Sequence, residues 1–250
     1  ANVECIGSGT QRVEDVLLDQ FPSISILRMD MDTVRKRGAH EKILRKFHNA
    51  EADVLLGTQM IAKGLDFENV TLVGVINADS GLFFPDFRAG ERIFQLIYQV
   101  AGRAGRRQKP GKAIIQTYNH DDIYIQTAAS LNIQKFYNIA LAHRQELNYP
   151  PFSRIGRILF SGSDKNKVNR VAQKICQKLY GNSDYIILGP APTPHEKIQD
   201  MWRSHLIIKT QDKQKGSIHK FLYKNIGFSI FERSMNGVRI QVDIDPVSMM

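Results

Sequence analysis

Short apolar runs alternate with helical stretches through the first half of this 250-residue chain. Ile26-Leu27-Arg28-Met29, Val54-Leu55-Leu56 ending at Gly57, Val70 to Ile76, and Ala113 to Thr117 read as strands. Gly38 to His48 carries Ala39, Ile43, Leu44 and Phe47 at helical spacing, and Ala89 to Ala104 places Ile93, Leu96, Ile97 and Val100 on one face. Continuous apolar runs separated by helices predict a parallel sheet covered on both sides. Residues 121–148 read as helical with a break near Asn132 and a stripe of Phe136, Tyr137, Ala140 and Leu141. Tyr149-Pro150-Pro151-Phe152 ends that helix, because proline lacks the donor N–H and restricts the residue before it. The domain boundary is placed there, giving segments 1–148 and 149–250.

The rhythm then changes. Arg154 to Ser161 is strand-like, and Lys165 to Tyr180 is an amphipathic helix burying Val168, Val171, Ala172, Ile175, Cys176 and Leu179. Tyr185 to Leu188 is a strand ended by Gly189-Pro190-Ala191-Pro192, and a loop containing Trp202 leads to a strand over His205 to Lys209. A helix over Ile218 to Ile226 and an alternating strand over Val238 to Ile244 complete the order β-α-β-β-α-β. That order is the split βαβ, ferredoxin-like pattern of an α+β domain.

At 42% hydrophobic and 24% charged residues, the chain has apolar material for a core in each of two domains. Charge separates the halves. Residues 1–150 hold 18 Lys+Arg against 17 Asp+Glu, whereas residues 151–250 hold 16 against 8. A basic module attached to a neutral one suggests a polyanion partner for the second half. Cys5 and Cys176 cannot build a disulfide framework or a four-thiolate zinc site, and they suit a reducing cytoplasm. Cys176 is expected to be an inert core thiol. The seven histidines show no metal-ligand spacing, so no metal is expected in this chain. No run approaches the ~18 apolar residues of a membrane span, and no secretory signal is visible.

Two segments carry chemistry. Gly57-Thr58-Gln59-Met60-Ile61-Ala62-Lys63-Gly64-Leu65-Asp66-Phe67 begins where a strand ends, the place where open α/β sheets bind ligands. Its glycines, hydroxyl and lysine suit a phosphate backbone, although an ordinary strand-to-helix loop would look the same. Gln99-Val100-Ala101-Gly102-Arg103-Ala104-Gly105-Arg106-Arg107 sets two arginines on one helix face. A guanidinium fork there could stabilise charge on a transferring γ-phosphoryl group, or simply end a solvated basic helix.

Together, Gly-Thr-x5-Gly-x-Asp followed by Gln-x-x-Gly-Arg-x-Gly-Arg resembles motifs V and VI of superfamily 2 helicases. Residues 26–33, 55–67, 85–92 (Pro-Asp-Phe-Arg-Ala-Gly-Glu-Arg), 149–152, 189–192 (Gly-Pro-Ala-Pro) and 242–248 (Val-Asp-Ile-Asp-Pro-Val-Ser) narrow the resemblance. They are similar, in order and over essentially the whole chain, to the bacterial replication-restart helicases of the primosomal protein N′ (PriA) family.

The resemblance implies a RecA-like helicase lobe 2 followed by a ribosomal-protein-like C-terminal domain. Arg103 and Arg106 correspond to arginine fingers, Gln99 to the motif VI residue beside them, and Gly64 and Asp66 to motif V positions at the nucleotide. Thr58 and Lys63 are candidate DNA-phosphate contacts. Arg28, Asp30 and Asp32 lie in the motif IV region, where they either meet nucleotide or cap a helix starting near Thr33. The family acts as an ATP-dependent 3′-to-5′ DNA helicase. It recognises stalled or branched forks and restarts replication by primosome assembly. Its partners are branched and single-stranded DNA, single-stranded DNA-binding protein and other primosome proteins.

The phosphate-binding loop Gly-x4-Gly-Lys-[Ser/Thr] and an Asp-Glu-x-His box do not occur in the sequence. ATP and Mg would therefore need a first lobe supplied elsewhere, and the family's zinc would sit in a cysteine-rich region that this chain does not contain. The absent initial Met fits a piece of a longer protein, and the chain alone is expected to hydrolyse no ATP. In the basic half, Lys167, Arg170, Lys174 and Lys178 form a stripe with Lys165 nearby, either a DNA contact or the polar face of any amphipathic helix. Trp202 is a base-stacking residue, a peptide anchor or core. The competing reading is a standalone nucleic-acid-binding module whose degenerate motor lobe serves as scaffold. A complete small enzyme lacks a nucleophile–base pair.

Overall fold

The computed structural model describes residues 9–30, 38–58, 69–102, 111–181, 183–210, 217–227 and 233–249. The chain splits into two compact units, residues 1–84 with 89–136, and residues 85–88 with 137–250.

In the first unit, α1 (Thr10–Gln20) precedes β1 (Ile26–Met29), and α2 (Ala39–His48) leads to β2 (Val54–Gly57). β1 and β2 pair in parallel, from Ile26 opposite Val54 to Met29 opposite Gly57. β3 (Leu72–Val75) and β4 (Lys112–Ile115) form a second parallel pair. Between these two strands run a 3-10 turn (Ala78–Gly81) and α3 (Ala89–Ala101). Parallel pairing agrees with the sequence, but two-sided cover does not. The described strands form two separate pairs, and Leu72 and Ile114 are exposed. Period-2 alternation explains this: Val73 and Val75 turn to one side, Leu72 and Gly74 to the other. A continuous apolar run does not reveal which of its faces a helix covers.

The packing around α3 is aromatic. Ile93, Phe94, Ile97 and Val100 are buried, and Phe94 stacks on Phe136 with centroids 3.7 Å apart. α4 (Ile123–Ala129) starts at Asp122, whose carboxylate accepts the N–H groups of Tyr124 and Ile125 at 2.9 and 3.1 Å. The break near Asn132 is present, and α5 (Ile133–Glu146) follows it. The apolar stripe expected on α5 is narrower than the sequence suggests, since Phe136 and Ala140 are buried but Tyr137 and Leu141 are exposed.

In the second unit, β5 (Ile155–Gly162), α6 (Lys165–Leu179), β6 (Tyr185–Ile198), β7 (Met201–Thr210), α7 (Ile218–Ile226), β8 (Arg233–Met235) and β9 (Val238–Ile244) follow in order. They build one antiparallel sheet of order β6-β7-β5-β9-β8. β7 thus lies between β5 and β6, the two strands that α6 joins, while β5 lies between β7 and β9. Ile158, Phe160, Leu206, Ile208, Val238 and Ile240 meet the apolar sides of α6 and α7 in the core. Asp164 caps α6 by accepting the N–H groups of Asn166 and Lys167 at 2.8 and 3.1 Å.

Three readings of this half are corrected. The strand expected to stop at Gly189-Pro190 continues as β6 to Ile198, with register shifts between Leu188 and Ala191 and between Pro192 and Lys197. An edge strand tolerates proline at such irregularities because no neighbour needs the missing N–H. Gly189 is required there: at φ +102° a Cβ would lie 2.8 Å from the His205 carbonyl oxygen. Trp202 is not in a loop but in β7, half-buried against the core. Finally, β8 adds a short hairpin strand through Asn236-Gly237, both at positive φ.

Candidate functional site

β2 delivers the first candidate. Its last residue, Gly57, lies opposite the fully buried Met29, and exposed Thr58 follows at the carboxyl end of the strand. Lys63, Gly64 and Asp66 lie outside the described residues. α3 delivers the second. Its buried residues leave Gln99 exposed near the helix end, and the Gly102 N–H closes the last turn on the Tyr98 carbonyl at 3.0 Å. Arg103 and Arg106 lie outside the described residues.

The motif IV region divides. Arg28 Nη1 meets Glu14 at 2.7 Å and Arg28 Nε meets Asp30 at 2.9 Å, while the Thr10 hydroxyl donates to Asp30 at 2.9 Å. Arg28 and Asp30 therefore hold α1 on β1. Asp32 and Thr33 lie outside the described residues, and the next described helix starts at Ala39.

On α6, Lys167, Arg170 and Lys174 are exposed opposite the buried stripe. Lys165 is committed differently. It pairs with Glu196 at 2.6 Å and sits over the Trp202 ring at 4.8 Å, while Lys197 lies 5.5 Å from the same ring. A cavity of about 220 Å³ opens beside this indole, lined also by Asn169, Pro192 and Ser204. Cys176 is buried, and burial pushes its thiol above the ordinary value, as an inert core thiol requires. Cys5 lies outside the described residues.

Several residues that sequence reasoning missed hold these regions together. Asp79, 2% exposed, accepts hydrogen bonds from Thr117 Oγ1, Tyr118 N, Asn119 N and Asn119 Nδ2 at 2.7 to 3.1 Å. Burial pushes its carboxyl up, but the donors from Tyr118, Asn119 and Thr117 outweigh burial and hold it below the ordinary value. It fixes the loop after β4 against the 3-10 turn after β3. Asp86, also buried, accepts the N–H groups of Arg88 and Met249 at 3.0 and 3.2 Å. On β7, His205 is held below its ordinary value by burial and then by Arg157 and Arg203. Period-2 alternation along Arg203-Ser204-His205-Leu206-Ile207-Ile208 was the available signal for that last group.

Among the described residues no cluster of His, Cys, Asp or Glu is placed to hold a metal ion, and no helix is long and apolar enough to cross a membrane.

Residues 3–108 match the helicase conserved C-terminal domain, and residues 145–247 match the Primosomal protein N C-terminal domain. The chain is 44% identical over 251 residues to the replication restart protein PriA of Bacillus subtilis, covering 100% of this chain and 31% of that protein. Identity to the proteins of the same name from Chlamydia muridarum and Synechocystis is 39% in each case. Those alignments cover 97% of this chain and 32% and 29% of the relatives. The chain spans about a third of the length of the curated relatives it matches.

Proposed function

The chain belongs to the PriA family of replication restart proteins, matching their C-terminal portion, and we propose that it supplies one wall of an ATP-driven DNA motor together with a DNA-contacting tail. In this reading residues 1–148 are the second RecA-like lobe of a 3′-to-5′ helicase. Residues 149–250 are a ferredoxin-like, ribosomal-protein-like domain for branched and single-stranded DNA. The whole protein would recognise stalled or branched forks and restart replication with single-stranded DNA-binding protein and other primosome proteins, in the cytoplasm.

The observation that carries the reading is the exposure of Gln99 at the end of α3, one turn before Gly102-Arg103-Ala104-Gly105-Arg106. A buried α3 face fixes the helix, so Gln99 stands on a rigid support. Arg103 and Arg106 would reach the γ-phosphate, where a guanidinium stabilises the transition state. Gln99, Gly64 and Asp66 would border the nucleotide, and Thr58 and Lys63 the DNA backbone. Exposed Lys167, Arg170 and Lys174 supply cations for phosphates on the second unit. The sequence contains no phosphate-binding loop, so ATP and Mg would be held chiefly by a first lobe, and zinc by a cysteine-rich region, of the longer protein.

The test is ATP hydrolysis. The chain alone should show none, with or without DNA. In a protein that also carries a first lobe, Arg106→Ala should lower DNA-stimulated kcat by about 10³-fold. Hydrolysis by the chain alone, lost on Arg106→Ala, would refute the shared pocket.

A further inference from the structure

The five-stranded sheet has two faces, and α6 and α7 pack on one of them. Even-numbered residues of β5, β7 and β9 enter the core between sheet and helices, so the odd-numbered ones stand on the opposite face. Strand register sorts these into rows. Arg203, Ser161 and Arg239 form the first, His205, Leu159 and Gln241 the second, and Ile207, Arg157 and Asp243 the third. With strands about 4.8 Å apart, the backbones of Arg203 and Arg239 stand roughly 10 Å from each other across Ser161. The Lys209 end of the face is closed, because Lys209 Nζ donates to the Leu147 carbonyl at 2.7 Å and lies 4.0 Å from the centre of the Tyr149 ring.

Three guanidinium groups and an imidazole share these rows with one carboxylate, Asp243, which lies 3.8 Å from Arg157. The buried Nδ1 of His205 has no hydrogen-bond partner among the described residues. Guanidinium forks match phosphate oxygens geometrically, so arginines set on neighbouring strands of one face suit a chain of phosphates. No aromatic ring stands in the three rows, so nothing there can stack on a base. Nor, among the described residues, does any helix of this unit project from this face to enter a duplex groove. The flat face, with its cations spread across neighbouring strands, suits an extended backbone.

We propose that the helix-free face of this sheet binds the phosphodiester backbone of an extended single strand of nucleic acid, without reading its base sequence. The site rests on the reading of the second unit as DNA-contacting and is separate from the α6 stripe. Arg203 and Arg239 hold phosphates at the open end, and Arg157 steadies the third row. His205, crowded by Arg157 and Arg203, responds to the bound negative charge by titrating at higher pH, with Ser161, Asp243, Arg239 and Gln241 as the other polar residues of the three rows.

The test uses the whole chain and an oligothymidylate of about 20 nucleotides. Each phosphate contact to a single strand contributes about 0.7 to the slope of log affinity against log salt. The pair Arg203→Gln and Arg239→Gln should therefore flatten that slope by about 1.4, roughly a sevenfold smaller loss between about 50 and about 200 mM salt. Arg203→Lys with Arg239→Lys should restore the slope, which separates charge from folding. Changing the oligonucleotide to mixed sequence should leave affinity unchanged. In the unmutated chain, the His205 imidazole resonance should titrate at higher pH when the oligonucleotide is bound. An unchanged slope in the Gln pair, with a reduced slope in Lys167→Gln/Lys174→Gln, overturns this site and leaves the DNA reading standing. No binding of the oligonucleotide to the unmutated chain overturns both. If polyglutamate shifts the His205 resonance and the oligonucleotide does not, the face serves an acidic protein and the proposal is wrong.

Discussion

The ring of Phe87 lies stacked on that of Tyr149, with centroids 4.4 Å apart and planes 10° from parallel. Cations close the stack: Arg88 lies 4.1 Å and Arg144 5.1 Å from the Phe87 centroid, and Lys209 covers Tyr149. Arg88 also donates to the Pro246 carbonyl at 3.1 Å. The segment 85–88 is thereby fastened inside the second unit although its neighbours in sequence belong to the first. Phe87→Ala should cost about 2 kcal/mol, combining lost burial with lost stacking. A double-mutant cycle with Tyr149→Ala, read by urea denaturation, should give a coupling of about 1 kcal/mol. Additive losses would mean that the rings merely share a neighbourhood.

Asp79 makes a second testable relationship. Its carboxylate serves four donors, so Asp79→Ala leaves these part-buried bonds without their acceptor and should cost about 2 kcal/mol. Hydrogen exchange should accelerate first at the Tyr118 and Asn119 amides. The carboxyl lies below its ordinary value when folded, so its contribution is present above the ordinary value of 3.8 and is lost as pH falls through the folded one. An acid titration of stability in Asp79→Asn should be flatter than in the unmutated chain below pH 3.8.

His205 titrates in the opposite chemical sense. Burial and two arginines favour the neutral ring in the folded chain, whereas the unfolded chain takes up a proton near the ordinary value of 6.5. The unfolded state then binds more protons, so stability falls as pH drops below 6.5 and levels off below the folded value. His205→Gln should remove that part of the pH dependence. Stability measured by urea between neutral and mildly acidic pH checks it, and identical slopes would refute the assignment.

What the sequence disclosed follows from the range of each interaction. α6 was legible because Val168, Val171, Ala172, Ile175, Cys176 and Leu179 repeat at the helical period, and all are buried. The order of strands and helices in the second half, apart from the short β8, was legible for the same local reason. β6 was misjudged because Pro190 and Pro192 signal an end only where a neighbour needs their N–H. Trp202 was misplaced because the strand extends back past His205 to Met201 in partnership with β6, which is not a local property. Asp79 carried no signal at all, since its partners lie 38 to 40 residues away. Of the candidate site, Thr58, Gln99, Lys167, Arg170 and Lys174 are exposed. Exposure agrees with either a DNA contact or a solvated face, and the salt slope separates the two.

Gly90 sets two effects of opposite sign against each other. It is the second residue of α3, where alanine would ordinarily gain up to about 1 kcal/mol through helix propensity. A Cβ there, however, would lie 2.4 Å from Cδ2 and 2.6 Å from Cε2 of Tyr124, closer than any real contact. Tyr124 has little room to retreat, since its ring meets the edge of Phe136 at 6.2 Å and Phe136 is stacked tightly on Phe94. Overpacking of this kind costs about 1–3 kcal/mol, so the clash should win and Gly90→Ala should lower the thermal midpoint. Removing the obstruction reverses the sign: in a Tyr124→Leu background, Gly90→Ala should be neutral or stabilising. If Gly90→Ala stabilises the unmutated chain, then α3 and α4 are free to separate, and the rigid support assigned to Gln99 is absent.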